Sequence, residues 1–136
     1  MTAHVQVVGL KEFQRSLKAI DRDLPKALRL ALNDAGNIIV DQAVPRIPRR
    51  KGRAAKSVKA RSTQKMVRVV GGGNRAPYYP WLDFGGSVGK RRSVKRPFLT
   101  KGRYIYDAFF RNRDEFVERL EGNLRDVARA AGIEMT

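Results

Sequence analysis

The residues able to do covalent or acid–base chemistry are few in this chain. None of the 136 residues is cysteine. That excludes a disulfide scaffold, a thiolate nucleophile and any zinc or iron–sulfur site built on cysteine. The one histidine, His4, allows no His-pair metal site. It reads as a surface or edge residue of a terminal strand, far in sequence from Ser57, Ser62, Ser87 and Ser93, which have no base suited to activate them. Asp83 is the only acid between residues 46 and 103. A lone carboxylate cannot run the paired acid–base chemistry of glycoside hydrolysis, nor hold a magnesium ion by itself. It reads as a counter-charge for a neighbouring arginine or lysine. The run Gly85-Gly86-Ser87-Val88-Gly89-Lys90-Arg91 is superficially similar to a phosphate-binding loop. Its spacer is one residue short, Arg91 stands where a hydroxyl should meet magnesium, and no helix follows before Pro97. The expectation is a protein that is not an enzyme and uses no cofactor or metal.

What the chain has in excess is positive charge. Lys and Arg number 29 against 13 acids, a net charge of +16. Residues 1–45 carry a net +1, residues 46–103 a net +17 and residues 104–136 a net −2. Charge concentrated this way repels itself at low salt and implies an anionic partner: nucleic acid or an acidic protein surface. A lipid surface fits poorly, because these cations lie in Gly- and Pro-containing loops and not on one face of an amphipathic helix. The residues expected to meet the partner are Arg46, Arg49, Arg50, Lys51 and Arg53 in one basic loop, residues 46–56, and Lys90, Arg91, Arg92, Lys95 and Arg96 in another, residues 85–96. Tyr78, Tyr79, Trp81 and Phe84 interleave with the cations as base-stacking residues do, but about half of them should be core. No RNA-binding aromatic motif, Gly-x-x-Gly clamp or Cys/His finger is present.

The elements that must position these cations follow from periodicity. Residues 4–8 alternate as a short strand ended by Gly9. Leu10, Phe13, Leu17 and Ile20 form a helical stripe. Asp23 suits an N-cap, Pro25 a first turn, and Leu24, Leu28, Ala31, Ala35, Ile38 and Gln42 a second helical face that Pro45 and Pro48 end. Residues 57–61 and 66–70 alternate as two strands of a hairpin. Residues 78–84 suit a third strand, at a sheet edge because of Pro80. Residues 85–96 show no periodicity and read as a long mobile arm. Phe110, Val117, Leu120, Leu124, Val127 and Ala131 mark the seam of one long final helix, with Glu115 and Arg119 paired at i,i+4 and Gly132 as its cap. The expectation is one α+β domain over residues 1–136: two N-terminal helices, a small antiparallel sheet with long basic loops, and a long C-terminal helix. No leader and no membrane-spanning run is visible, so the chain reads as soluble.

Four segments in order carry a resemblance. Val8-Gly9-Leu10-Lys11-Glu12-Phe13 is similar to a "Gly-Leu-x-Glu-Leu" opening before a first helix. Residues 48–58, with Pro48, Gly52 and Ser57, are similar to "Pro…Thr-Gly-x-Leu…Ser". Residues 76–85, Ala76-Pro77-Tyr78-Tyr79-Pro80-Trp81-Leu82-Asp83-Phe84-Gly85, look like "Tyr-Ala-x-x-Val-Glu-Phe-Gly-Thr". Arg96-Pro97-Phe98-Leu99 is similar to a "Pro-Phe-Leu" signature. Together they resemble the lambda Z-like neck and tail-completion family of long-tailed bacteriophages, the head–tail joining or minor tail components. The departures, Lys51 for Thr, Ala54 for Leu, Asp83 for Glu and Gly86 for Thr, leave the order and spacing of the segments intact.

The resemblance implies a structural virion protein at the head–tail junction, made in the host cytoplasm. It implies a homo-oligomeric, hexameric ring adjoining the tail terminator and the head-completion or stopper protein around a channel of genomic duplex DNA. It also implies that Gly52, Tyr79, Trp81, Asp83, Phe84, Gly85, Pro97 and Phe98 serve structure. The rival from charge alone is a small nucleoid- or ribosome-associated nucleic-acid-binding protein.

Overall fold

Three short segments with alternating burial form one antiparallel sheet in the computed structural model, which describes residues 1–49 and 51–133 apart from the side chains of Val88 and Lys90. Strands β1 (Thr2–Gln6) and β2 (Lys59–Ala60) both pair with β3 (Met66–Val70), in the order β1-β3-β2. The register sets Ala3 and Ala60 opposite Val69, and Val5 opposite Val67. Side chains alternate across a strand, so these five small or β-branched residues share one face. The amino terminus is tied to the end of β3: the Met1 ammonium donates to the Gly71 carbonyl, and the Gly71 amide to the Met1 carbonyl, both at 3.0 Å.

That face lies on helix α2 (Leu24–Ala43), which also packs against every longer helix of the chain. Gly36 sets the distance. A Cβ there would stand 3.2 Å from the Ala60 Cβ and 3.4 Å from a Val67 methyl, so a glycine brings helix and sheet closer than another residue would. Helix α1 (Leu10–Ile20) follows the expected stripe, with Leu10 and Leu17 buried and Ile20 left exposed. Asp23 and Pro25 take the positions expected of them, although the Asp23 side chain makes no capping bond. A 3₁₀ turn at Val44–Arg46 ends the run at Pro45.

The structure corrects four expectations. First, the basic loop after Pro45 is interrupted by a short helix, α3 (Arg53–Ser57), with Gly52 at its N-cap. Ser57 belongs to this helix and not to a strand. Its hydroxyl is buried, donating to the Ala54 carbonyl at 2.6 Å and accepting from the Gly72 amide at 2.9 Å. Second, residues 78–84 form no edge strand but a helix, α4 (Tyr79–Phe84), with Pro80 in its first turn. A helix brings Tyr79 and Asp83 onto one face, one turn apart, and both are fully buried. The third strand of the sheet is instead β1.

Third, residues 85–96 are not an arm without order. They fold as a second, two-stranded antiparallel unit, β4 (Gly86–Val88) and β5 (Val94–Arg96), with Ser87 opposite Lys95. Fourth, the long C-terminal helix is present but does not include Phe110. Helix α5 (Ile105–Arg111) stops at Asn112, whose φ of −115° and ψ of 21° are not helical, and α6 (Arg113–Ala130) follows it. The buried seam of α6 is therefore Phe116, Leu120, Val127 and Ala128, while Phe110 is 53% and Val117 38% exposed. Arg119 pairs across to Asp34 of α2 at 3.2 Å and not with Glu115. Asn123 donates to the same carboxylate at 2.8 Å, and that hydrogen bond, with the Arg119 charge, holds Asp34 below the usual carboxylate range. Gly132 caps α6 as expected: its amide and that of Ile133 reach the Arg129 and Ala128 carbonyls.

The core runs continuously from α1 and α2 through the sheet to Tyr79, Ile105 and Phe116. The class is α+β, as the patterning implied. Among the described residues no helix is long and apolar enough to cross a membrane.

Candidate interface for an anionic partner

Strand alternation also decides where the cations go. Lys59 and Arg61 lie two residues apart beside Arg68 of β3, on the side of the sheet away from α2. The Arg68 guanidinium is steadied by donating to the Arg61 carbonyl at 2.9 Å. Helix α3 adds Arg53 and Lys56, the loop before it Lys51, and the Gly-rich turn after β3 adds Arg75. These seven cations line one open groove of about 750 Å³ that, among the described residues, no carboxylate enters. Without an acid to neutralise them, their fields add, and such a groove concentrates anions of extended shape. It suits a row of phosphates or carboxylates better than an apolar ligand. A separate crevice between the sheet and α5, about 140 Å³, is lined almost wholly by aliphatic and aromatic side chains.

The second basic element is the β4–β5 hairpin. Arg91, Arg92 and Lys95 are exposed on it. Its base is held by a buried clasp around Asp83. One carboxylate oxygen accepts the Arg103 and Tyr104 amides at 2.7 and 3.1 Å; the other accepts the Tyr79 hydroxyl at 2.8 Å and the Ile105 amide at 3.3 Å. Asp83 thus satisfies the open amides at the start of α5. The expected partner, an arginine or lysine side chain, is replaced by backbone amides and a phenol. Burial, reinforced by the adjacent carboxylate, pushes the Tyr79 hydroxyl far above its ordinary value of 10.0.

The two legs of the hairpin cross at Gly85. Its φ is +87°, and a Cβ there would overlap the Pro97 carbonyl. The Arg103 guanidinium locks this crossing, donating to the Asp83 carbonyl at 3.0 Å and to that of Pro97. Trp81 donates to the Gly86 carbonyl at 3.1 Å, and Phe84 packs at a tilt against Tyr106 with ring centroids 5.7 Å apart.

A family profile described as "Bacteriophage HK97-gp10, putative tail-component" matches residues 11–85, more than half of the chain. The chain belongs to this HK97 gp10-like family of phage tail components. The matched segment of this gp10-like chain runs from α1 through the groove to Asp83 and Gly85, and stops where the hairpin begins. No curated protein and no solved structure matches the chain.

The residues singled out from sequence divide among these sites. Lys51 and Arg53 line the groove, and Arg91, Arg92 and Lys95 the hairpin. Arg46 is held by Asp107 at 3.2 Å, a carboxylate shared with Arg111. Arg49 is exposed. Arg50 and the Lys90 side chain lie outside the described residues. Arg96 is turned inward: its guanidinium lies 5.7 Å from the Trp81 ring centroid and donates to the Tyr104 hydroxyl at 2.9 Å. Tyr79, Trp81, Asp83, Phe84, Gly85 and Pro97 all meet in the clasp, whereas Phe98 is 66% exposed. Sequence reasoning missed Lys56, Lys59, Arg61, Arg68 and Arg75 as groove residues. The period of two in residues 57–70 carried part of that signal, since it sets Lys59 and Arg61 on one face.

Proposed function

We propose that this gp10-like chain is a structural subunit of the phage head–tail junction. It works through binding surfaces and not catalysis. Six copies form a ring between the head-completion or stopper protein and the tail terminator, around the DNA channel. The basic surfaces built from residues 46–56 and 85–96, extended by Lys59, Arg61, Arg68 and Arg75, meet genomic phosphates or acidic surfaces of neighbouring subunits. The observation that carries this reading is the groove: seven cations and, among the described residues, no acid, in a member of a phage tail-component family.

The test is charge reversal at exposed positions only. Phage carrying Lys51→Glu, Arg53→Glu, Arg91→Glu and Arg92→Glu should yield folded protein but unjoined heads and tails. Normal particles from that variant would contradict the role of both basic surfaces. The same groove would also serve a nucleoid- or ribosome-associated protein. That reading requires tight, salt-steep binding of duplex or RNA by the isolated chain, losing roughly 10³-fold or more between 50 and 200 mM salt. A ring subunit needs only weak contact per copy, because linked copies supply avidity.

A further inference from the structure

We propose that the β4–β5 hairpin of one subunit docks on the outer face of α6 of a second copy, giving a head-to-tail contact. The inference rests on the ring reading and names the surfaces that would build the ring.

The two surfaces are complementary in charge. Arg91, Arg92 and Lys95 project from the hairpin. Asp114, Glu118 and Glu121 follow one another at i, i+4 and i+7 along α6, with Arg113 beside them and exposed Arg125 one turn beyond. Among the described residues, none of these three hairpin cations and none of these three acids forms an ion pair within the chain. Exposed apolar side chains occur in the same stretches: Val94 in β5, Phe98 and Leu99 just after it, and Val117 between the acids of α6. An apolar contact rimmed by opposite charges is the usual make-up of a specific interface.

The hairpin is presented in a fixed pose. The Asp83 clasp, Gly85 and the Arg103 guanidinium hold its base, so little ordering is left for the docking step. Its turn keeps Arg91 and Arg92 in left-handed backbone, at φ 55° and 52°. Glycine or asparagine would sit there at less cost. The strain is retained where two guanidinium groups are held outward, as expected at a contact site. Because the two patches differ, copies joined this way form a heterologous series, which closes into a ring when the rotation permits.

Two charge-reversed proteins test this. One carries Arg91→Glu, Arg92→Glu and Lys95→Glu, making hairpin and α6 face both acidic. The other carries Asp114→Lys, Glu118→Lys and Glu121→Lys, making both basic. Self-association is read by sedimentation and lysine-independent cross-linking. Each variant alone should associate more weakly than the parent chain, on the order of tenfold or more. A one-to-one mixture, and a single chain carrying all six changes, should recover association. All six positions are surface residues; Gln replacements at the same sites repeat the test should a reversed chain fail to fold, and must weaken association in the same direction.

Association of the parent chain that neither reversal weakens would overturn this interface and leave the ring reading standing. A parent chain that stays monomeric, with no cross-linked ladder in particles either, would overturn both. Loss of DNA binding without loss of self-association would assign the hairpin to nucleic acid and overturn the proposal.

Discussion

Asp83 shows how much one side chain can carry. Its carboxylate is fully buried, accepts three backbone amides and a phenol, and joins α4 to the start of α5. Asp83→Ala leaves four donors without an acceptor, and a buried unsatisfied donor costs about 1–3 kcal/mol. The expected loss is on the order of 3 kcal/mol or more, read as a fall in the urea midpoint with little change in slope. Tyr79 gives a pH dependence. Its folded-state pKa is raised, so the folded chain holds this proton more tightly than the unfolded chain does. The stabilisation is therefore complete below the ordinary value of 10.0 and declines as pH rises past it. Denaturation between pH 8 and 11, on the order of the tyrosine range, should show that decline in the parent chain. Tyr79→Phe should flatten it, at a cost near neutral pH of about 1–2 kcal/mol. Sequence alone marked Asp83 as the single acid in a basic stretch but not its role, because its partners are amides contributed from twenty residues away.

The elements were legible where local pattern and tertiary need agreed. Leu10 and Leu17 announce α1, and Pro25 with Pro45 frame α2. Val5, Val67 and Val69 alternate as sheet residues should, although the first strand runs over Thr2–Gln6 and not residues 4–8. Pattern failed where long-range contacts decide. Residues 78–84 carry strand-forming aromatics, yet the Tyr79–Asp83 pair is satisfied only by a helix, with Pro80 tolerated in its first turn. The hairpin of residues 86–96 has no Asn-Gly turn to announce it; two left-handed arginines stand there instead. Phe110 joined the expected seam only because the break at Asn112 was invisible in the heptad spacing.

Gly85 makes an element-scale prediction. Gly85→Ala places a methyl against the Pro97 carbonyl in backbone that L residues avoid, so the hairpin base must shift. The expected cost is on the order of 1–3 kcal/mol. Trp81, the one tryptophan, reports it: loss of its bond to the Gly86 carbonyl should shift its emission, whereas an unchanged spectrum and midpoint would contradict the clasp geometry.

At the scale of the molecule, charge is sorted in space. The groove and hairpin concentrate cations, while Asp114, Glu118 and Glu121 line one exposed stripe of α6. Sequence placed the excess in residues 46–103, but read it as two loops; the fold regroups it into one groove spanning two strands, a short helix and a turn, with Arg96 withdrawn into the core edge. The family reading was legible as well, in four ordered segments, two of which, residues 76–85 and 96–99, meet at the clasp. A quantitative consequence follows for polyanions. If all seven groove cations contact phosphates, the slope of log K against log salt for duplex DNA should be about −6. Replacing Lys59, Arg61 and Arg68 by Ala should reduce its magnitude by about 3. A slope near zero in the parent chain would instead make the groove a surface for acidic protein.

The place proposed for this gp10-like subunit is the junction of head and tail. Immunogold electron microscopy of purified particles and lysed producer cells, with an antibody to this chain, tests it most directly. Label confined to the collar between head and tail is the predicted result. Label spread over nucleoid or ribosomes, with none on particles, would contradict it.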